Sequence, residues 1–275
     1  MISALDSLVR KHPELEPAAV ALGILATALP EITLPSDVPH PGAAEARLAA
    51  GVPALEGEPL LAGPVLRSNI HHLATALGSQ LSSAASIAAG LEGGLDAGAA
   101  DQLARAAQAG DWDGIVAVAV RLGLEPDLVV TLADHSARPA LRAGARAVSH
   151  QLARPRWSRG ICPACGSTPL LAELRGGGTS GEAEGERVLR CGRCLTEWSY
   201  PRMGCVGCGE SDHQRLAYIH GPDEAAFRRA DVCSSCKTYI KSIAVLAPLS
   251  LTELLGADLA TAMLDLAAVE RGFHR

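Results

Sequence analysis

The feature that most constrains this chain is the confinement of all eight of its cysteines to one stretch, as four C-x-x-C pairs: Cys162/Cys165, Cys191/Cys194, Cys205/Cys208 and Cys233/Cys236. A C-x-x-C turn holds two sulfurs close enough to share one metal, and a tetrathiolate site takes two such turns, so four turns make two sites. The pairs also repeat. Cys162 to Cys205 is an offset of 43, and Cys191 to Cys233 and Cys194 to Cys236 are each offsets of 42, as a duplicated unit would give. Duplication favours sequential pairing: Cys162, Cys165, Cys191 and Cys194 in one site, Cys205, Cys208, Cys233 and Cys236 in the other. Spacing alone leaves open a cross-braced arrangement that joins the first pair to the third and the second to the fourth. Each unit begins C-x-x-C-G, and Gly166 and Gly209 permit the positive φ that turns backbone N–H groups towards a sulfur.

Between the knuckles, Leu170–Leu174 and Arg187–Leu189 can form a hairpin around the loop from Arg175 to Glu186. Arg215–His220 and Ala226–Val232 can do the same around Gly221-Pro222-Asp223. The expected modules are small β ribbons resembling rubredoxin and zinc ribbons, with so little core that metal supplies much of their stability. A thioredoxin-like redox role for one C-x-x-C lacks the βαβ context it would need.

Residues 1–155 contain no cysteine and read as helices broken by Pro and Gly. Leu66, Ile70, Leu73, Leu77 and Leu81 recur at spacings of three and four, which predicts a helix over Val65–Leu81. Other expected helices are Leu15–Leu29, Ala43–Ala50, Ala99–Ala109 and Trp112–Leu122. Pro30–Pro41 reads as a loop and Gly90–Gly98 as a turn or linker. Asp127–His135 and Pro139–Leu152 read as a helix pair or one helix kinked at Pro139. His71 and His72 are adjacent on their helix, about 100° apart, and so do not chelate as an i,i+4 pair would. At the C-terminal end Ser250-Leu251-Thr252-Glu253 has capping-box form, Gly256 reads as an interruption, and Asp258 as the cap of a second helix ending at Gly272. Leu259, Met263, Leu266 and Ala267 share a helical face expected to be core. The fold class is therefore α+β: a helical domain over 1–155, a first rubredoxin-like four-cysteine module over 156–203, a second over 204–246, and a C-terminal helix over 247–275 packing on the rest.

Charge narrows the function classes. The formal net charge is −6, and eight thiolates with two divalent ions would bring it to about −10, a poor balance for a general nucleic-acid binder. One segment runs against the balance. Ser136 to Ala172 has no Asp or Glu and carries Arg138, Arg142, Arg146, Arg154, Arg156 and Arg159, the first three spaced to line one helix face. That belt suits an acidic partner or a phosphate backbone, or is a solvated face. No run reaches the roughly 18 apolar residues of a membrane span, and the first residues lack a signal peptide's pattern. The expected location is cytoplasmic, where eight cysteines are metal ligands more readily than disulfides.

Several runs together resemble the formate dehydrogenase accessory protein FdhE family. They are WSRGICPACGS from Trp157 with Pro169, CGRCLTEW from Cys191, Arg202 with CVGCG from Cys205, CSSCKTYIK from Cys233, and ADLAT from Ala257 with LDLA from Leu264. The resemblance covers roughly residues 155–272, and the helical half is similar more loosely. It implies a cytoplasmic maturation factor, not an enzyme, that binds the catalytic subunit of a respiratory formate dehydrogenase before export, with iron in two rubredoxin-like sites. Nothing in the spacing distinguishes iron from zinc, since tetrathiolate sites suit both. Two other classes compete: a zinc-ribbon nucleic-acid-binding protein that stacks bases on Trp157, Trp198 and Tyr200, and a rubredoxin-like one-electron carrier.

Overall fold

The computed structural model describes residues 4–30, 34, 38–78, 82–153, 157–176, 185–221 and 227–275. They group into two compact units: Met1–Lys11 with Pro155–Pro163 and Ser167–Arg275, and His12–Arg154 with Ala164–Gly166. Residues 4–11 thus group with the cysteine-bearing part, where the sequence reading put them in the helical domain.

The helical unit holds α2 (Glu16–Thr27), α3 (Pro41–Ala49), α4 (Gly63–Leu77), α5 (Ser82–Gly94), α6 (Ala97–Ala109), α7 (Trp112–Arg121), α8 (Pro126–Ala147) and α9 (Ser149–Leu152). Its starts are capped as helix chemistry asks. The carboxylates of Asp96, Asp111 and Glu125 accept N–H groups of α6, α7 and α8, and Gly110 closes α6 at φ +72°. Leu66, Ile70, Leu73 and Leu77 of α4 are buried as their spacing predicts, while Leu81 lies outside the described residues.

One expectation changes here, and of the two readings left open around Pro139, a helix pair or one helix, the single helix is the one that forms. Gly90–Gly98 is not a linker: α5 runs to Gly94 and α6 begins at Ala97. The glycines let α5 approach a neighbour closely, since a Cβ on Gly90 would meet Leu124 Cδ2 at 2.5 Å and one on Gly94 would meet Leu122 Cδ2 at 2.9 Å. Pro139 does not divide α8 into two helices. It costs the helix roughly 3 kcal/mol, but Leu132, Ala133, Ala137, Ala140 and Leu141 around it are fully or almost fully buried and α8 packs against α4, α6 and α7. Asn69 Nδ2 of α4 also donates to Ser136 O, three residues before Pro139 (3.0 Å).

The other unit is built on one six-stranded sheet: β1 (Leu171–Arg175), β2 (Glu186–Arg190), β3 (Glu197–Ser199), β4 (Leu216–Ile219), β5 (Arg228–Cys233) and β6 (Tyr239–Val245), in the order β3-β2-β1-β6-β5-β4. Both expected hairpins form, β1 with β2 and β4 with β5. What joins them is β6, antiparallel to β5 and parallel to β1 with Ala172 opposite Ser242, so the two ribbons share a continuous sheet.

Register assigns the faces. On one face, which also carries Glu173 and Lys241, Leu171 and Ile243 meet α10 (Leu251–Ala260) in an apolar cluster centred on Leu254, and Ala230, Val232 and Tyr239 meet α11 (Ala262–Glu270) in another centred on Leu264 with Ala268. Helix α1 (Ala4–Lys11) packs on α10. The capping box at Ser250 and Glu253 is present, but α10 runs through Gly256, and the break falls at Thr261. That shift of phase buries Leu264 and Ala268 and leaves Met263 and Leu266 exposed, against the expected core face. Asp258 sits inside α10 instead of capping a helix. Its carboxylate and that of Asp265 take the fully buried Lys241 Nζ at 2.7 and 2.6 Å. Removing one side of such a buried cluster would cost about 3–5 kcal/mol.

Candidate metal centres

All four knuckles close in the same way. The N–H of each first cysteine donates to the carbonyl five residues on: Cys162 to Ser167 (2.8 Å), Cys191 to Thr196 (3.0 Å), Cys205 to Glu210 (2.8 Å) and Cys233 to Thr238 (3.0 Å). Closure requires a left-handed residue just after the second cysteine. Gly166 and Gly209 supply it at φ +77°, and so do Leu195 at +67° and Lys237 at +61°. Neither of the last two is glycine, so each carries roughly 1–2 kcal/mol of local strain that the closed knuckle must outweigh.

These turns bring together Cys162, Cys165, Cys191 and Cys194 in one group and Cys205, Cys208, Cys233 and Cys236 in another, with all sulfurs of a group within 4.8 Å of one another. That is the sequential pairing, not the cross-braced one. Cys162 and Cys194 sulfurs are 3.5 Å apart, Cys205 and Cys236 3.5 Å, and Cys208 and Cys233 3.8 Å. A tetrahedral centre with metal–sulfur bonds of about 2.3 Å has sulfurs about 3.8 Å apart, so each donor set fits a single ion. No cysteine is in a disulfide.

The electrostatics agree. Burial acts to raise Cys236, but hydrogen bonds from Thr238 and the neighbouring thiols draw it down to about 6. Cys208 is drawn down by the Glu210 backbone, yet its hydrogen bonds with the other three thiols help push it up to about 12. The neighbouring thiols thus act on Cys236 and Cys208 in opposite directions, and a cation held among the four sulfurs would favour the deprotonated form of each ligand.

Two threonines complete the sites. Thr196 Oγ1 lies 3.1 Å from Cys194 Sγ, and Thr238 Oγ1 lies 2.9 Å from Cys236 Sγ and 3.5 Å from Cys205 Sγ. They occupy the same place in the repeat, two residues after the last cysteine of each set, a signal the cysteine spacing obscured. The centres differ in exposure. Cys162, Cys191 and Cys194 are buried around the first, whereas Cys208 of the second is exposed.

The expected stacking groups are structural. Trp157 Nε1 donates to Ile161 O (2.7 Å), Trp198 Nε1 to Arg159 O (3.2 Å) and Tyr200 Oη to Cys205 O (2.8 Å), with Trp198 and Tyr200 buried. Gly160 packs so closely on the second module that a Cβ would stand 1.8 Å from Val206 O. Within the arginine belt, Arg138 Nη2 pairs with Asp134 Oδ2 on its own helix (2.7 Å), Arg142 is half-buried and Arg146 is exposed. Arg154 and Arg156 lie outside the described residues. His71 and His72 are exposed and belong to neither metal-ligand group found among the described residues.

Family models for the FdhE central domain and the FdhE C-terminal domain match residues 161–202 and 203–275. The Protein FdhE homolog of Pseudomonas aeruginosa is 39% identical over 123 residues, which is 43% of this chain and 38% of that protein. The Protein FdhE homolog of Aquifex aeolicus is 37% identical over 119 residues, 43% of this chain and 40% of that protein. The aligned part thus spans about two-fifths of each relative's length. The crystal structure of the FdhE protein from Pseudomonas aeruginosa superposes with a TM-score of 0.63 at 26% identity, covering 99% of this chain and 90% of that one. Among the described residues no helix is long and apolar enough to cross a membrane.

Proposed function

Because this chain belongs to the FdhE family over residues 161–275, we propose that it is a non-enzymatic accessory factor in the maturation of a respiratory formate dehydrogenase, which binds the enzyme's catalytic subunit in the cytoplasm. The observation that carries the reading is the coincidence of both family domains with two complete four-sulfur groups. Cys162, Cys165, Cys191 and Cys194 would hold one metal ion and Cys205, Cys208, Cys233 and Cys236 a second. Iron is the ion the family resemblance implies, and zinc is the alternative the same donors suit. Four protein sulfurs per ion leave no open coordination position for substrate or water, which supports a structural or electron-storing role over hydrolysis.

The test is anaerobic purification from iron-replete cells, with elemental analysis and co-purification of a formate dehydrogenase catalytic subunit. Two ions per chain, a reddish colour that bleaches on reduction, and retention of the subunit are expected. A single ion with free thiols elsewhere would overturn the two-site assignment, a colourless zinc protein would overturn iron, and no retention would overturn the partner. Exposed Cys208 favours one second reading, a one-electron carrier using the outer centre. That reading requires a reversible one-electron titration of the isolated protein.

A further inference from the structure

Strand β4 is the outermost strand on its side of the sheet, and the phase of its ladder leaves a backbone template open. Ser234 N–H donates to Arg215 O (2.9 Å), which places the hydrogen-bonded pairs between β4 and β5 at positions 215, 217 and 219. The far side of β5 agrees. Cys233 N–H donates to Thr238 O and Ala244 N–H to Phe227 O, so the odd positions of β5 serve β6 and the even ones serve β4. The N–H and C=O groups of Leu216 and Tyr218 therefore point away from the sheet, and among the described residues no strand pairs with them. Natural edge strands are commonly short, charged or interrupted by proline. Strand β3 at the other edge is three residues with Glu197, whereas β4 reads Leu-Ala-Tyr-Ile.

The side chains of Leu216 and Tyr218 share the face opposite α10 and α11, and there a cavity of about 420 Å³ opens beside them. Met203 and Val206 supply apolar wall, Met203 being 60% exposed and Tyr218 56%. Arg187, Arg202, Arg229 and Arg275 also line it. Arg275 is balanced by Asp258 at 2.7 Å, and Arg187 and Arg229 share the single carboxylate of Asp231, so with exposed Arg202 the protein side chains of this wall carry more positive than negative charge. Arg187 and Arg229 are held by Asp231, at 3.2 and 2.7 Å, so the basic wall is preformed.

We propose that β4 and this cavity bind an extended segment of a partner protein, which adds a further strand beside Leu216 and Tyr218, places an apolar side chain in the cavity and sets an acidic one against Arg202 and Arg229. Backbone pairing supplies affinity, and alternate side chains supply specificity. The proposal rests on the reading of this chain as a partner-binding protein and says where and by what chemistry.

The test pans a random dodecapeptide display library on the metal-loaded full chain, then follows amide hydrogen exchange with a selected peptide bound. Peptides alternating apolar and acidic residues, and protection of the Leu216 and Tyr218 amides, are expected. Tyr218→Pro removes an outward donor without taking a ladder bond. It should weaken peptide binding about tenfold or more with metal content unchanged. Should that variant lose metal, Arg202→Glu, at an exposed residue outside the ladder, reads the charge contribution instead. No enriched peptide, protection elsewhere, or parent affinity in both variants overturns the proposal. Retention of a formate dehydrogenase subunit is scored separately. If peptides bind at β4 and the subunit is not retained, the accessory-factor reading fails and this one stands.

Discussion

Replacing Thr238 by Val removes the hydroxyl that lies 2.9 Å from Cys236 Sγ and 3.5 Å from Cys205 Sγ while keeping the side chain's shape. The hydroxyl has one hydrogen and so serves one sulfur at a time. A hydrogen bond to a charged group contributes about 1.5–3 kcal/mol, and its loss from a thiolate ligand corresponds to roughly ten- to hundredfold in metal affinity. The loss should fall on the second centre alone. Thr196→Val removes the matching contact to Cys194, at 3.1 Å, and should weaken only the first. The assay is stepwise competition with a chromophoric chelator, followed by mass spectrometry of alkylated cysteines to show which set has opened. If Thr238→Val leaves both affinities unchanged, or lowers them equally, the hydroxyl is not bonding to sulfur as the geometry indicates.

Three further outcomes follow from single observations. In the parent protein, a chelator should expose Cys205, Cys208, Cys233 and Cys236 to alkylation before the first set, because Cys208 is exposed and the first centre has three buried sulfurs; simultaneous or reversed opening would contradict this. Gly160→Ala would force a Cβ to 1.8 Å from Val206 O, so thermal denaturation should show a loss of about 3 kcal/mol or more, and a variant as stable as the parent would refute the close approach. His135, held down to about 3 chiefly by burial and then by Arg138, stays neutral in the folded chain while an unfolded imidazole protonates near 6.5. A lowered folded pKa means the unfolded state binds more protons between those values, so stability falls as pH drops through that window, by about 2 kcal/mol between pH 7 and pH 5. Denaturant titrations of His135→Gln should lack that part of the slope, and an unchanged slope would show that His135 is not the group responsible.

The local features of this protein were legible in its sequence because they depend on residues close along the chain. Two duplicated sets of C-x-x-C knuckles, glycines at φ +77° after Cys165 and Cys208, the buried face of α4 and the capping box at Ser250 each follow from turn chemistry or helical spacing. The left-handed Leu195 and Lys237 were not legible. The requirement comes from closing the knuckle, and neither side chain advertises it.

Tertiary structure alone decided how the ribbons combine. Strand β6 carries the alternation Tyr239, Lys241, Ile243 on one face and Ile240, Ser242 on the other, but both faces are covered, so no apolar-polar contrast marks it as a strand. Its parallel partner β1 lies some 70 residues away, a pairing no local propensity can register. The same distance hides the role of Asp258 and Asp265. Read locally they look like a helix cap and a surface acid, and only the arrival of Lys241 beneath α10 and α11 makes them the partners of a buried cation. The duplicated cysteine spacing favoured the sequential pairing but left cross-bracing open until the folded knuckles grouped the sulfurs, and the non-local sheet decided that the two centres sit on one frame with an open edge at β4.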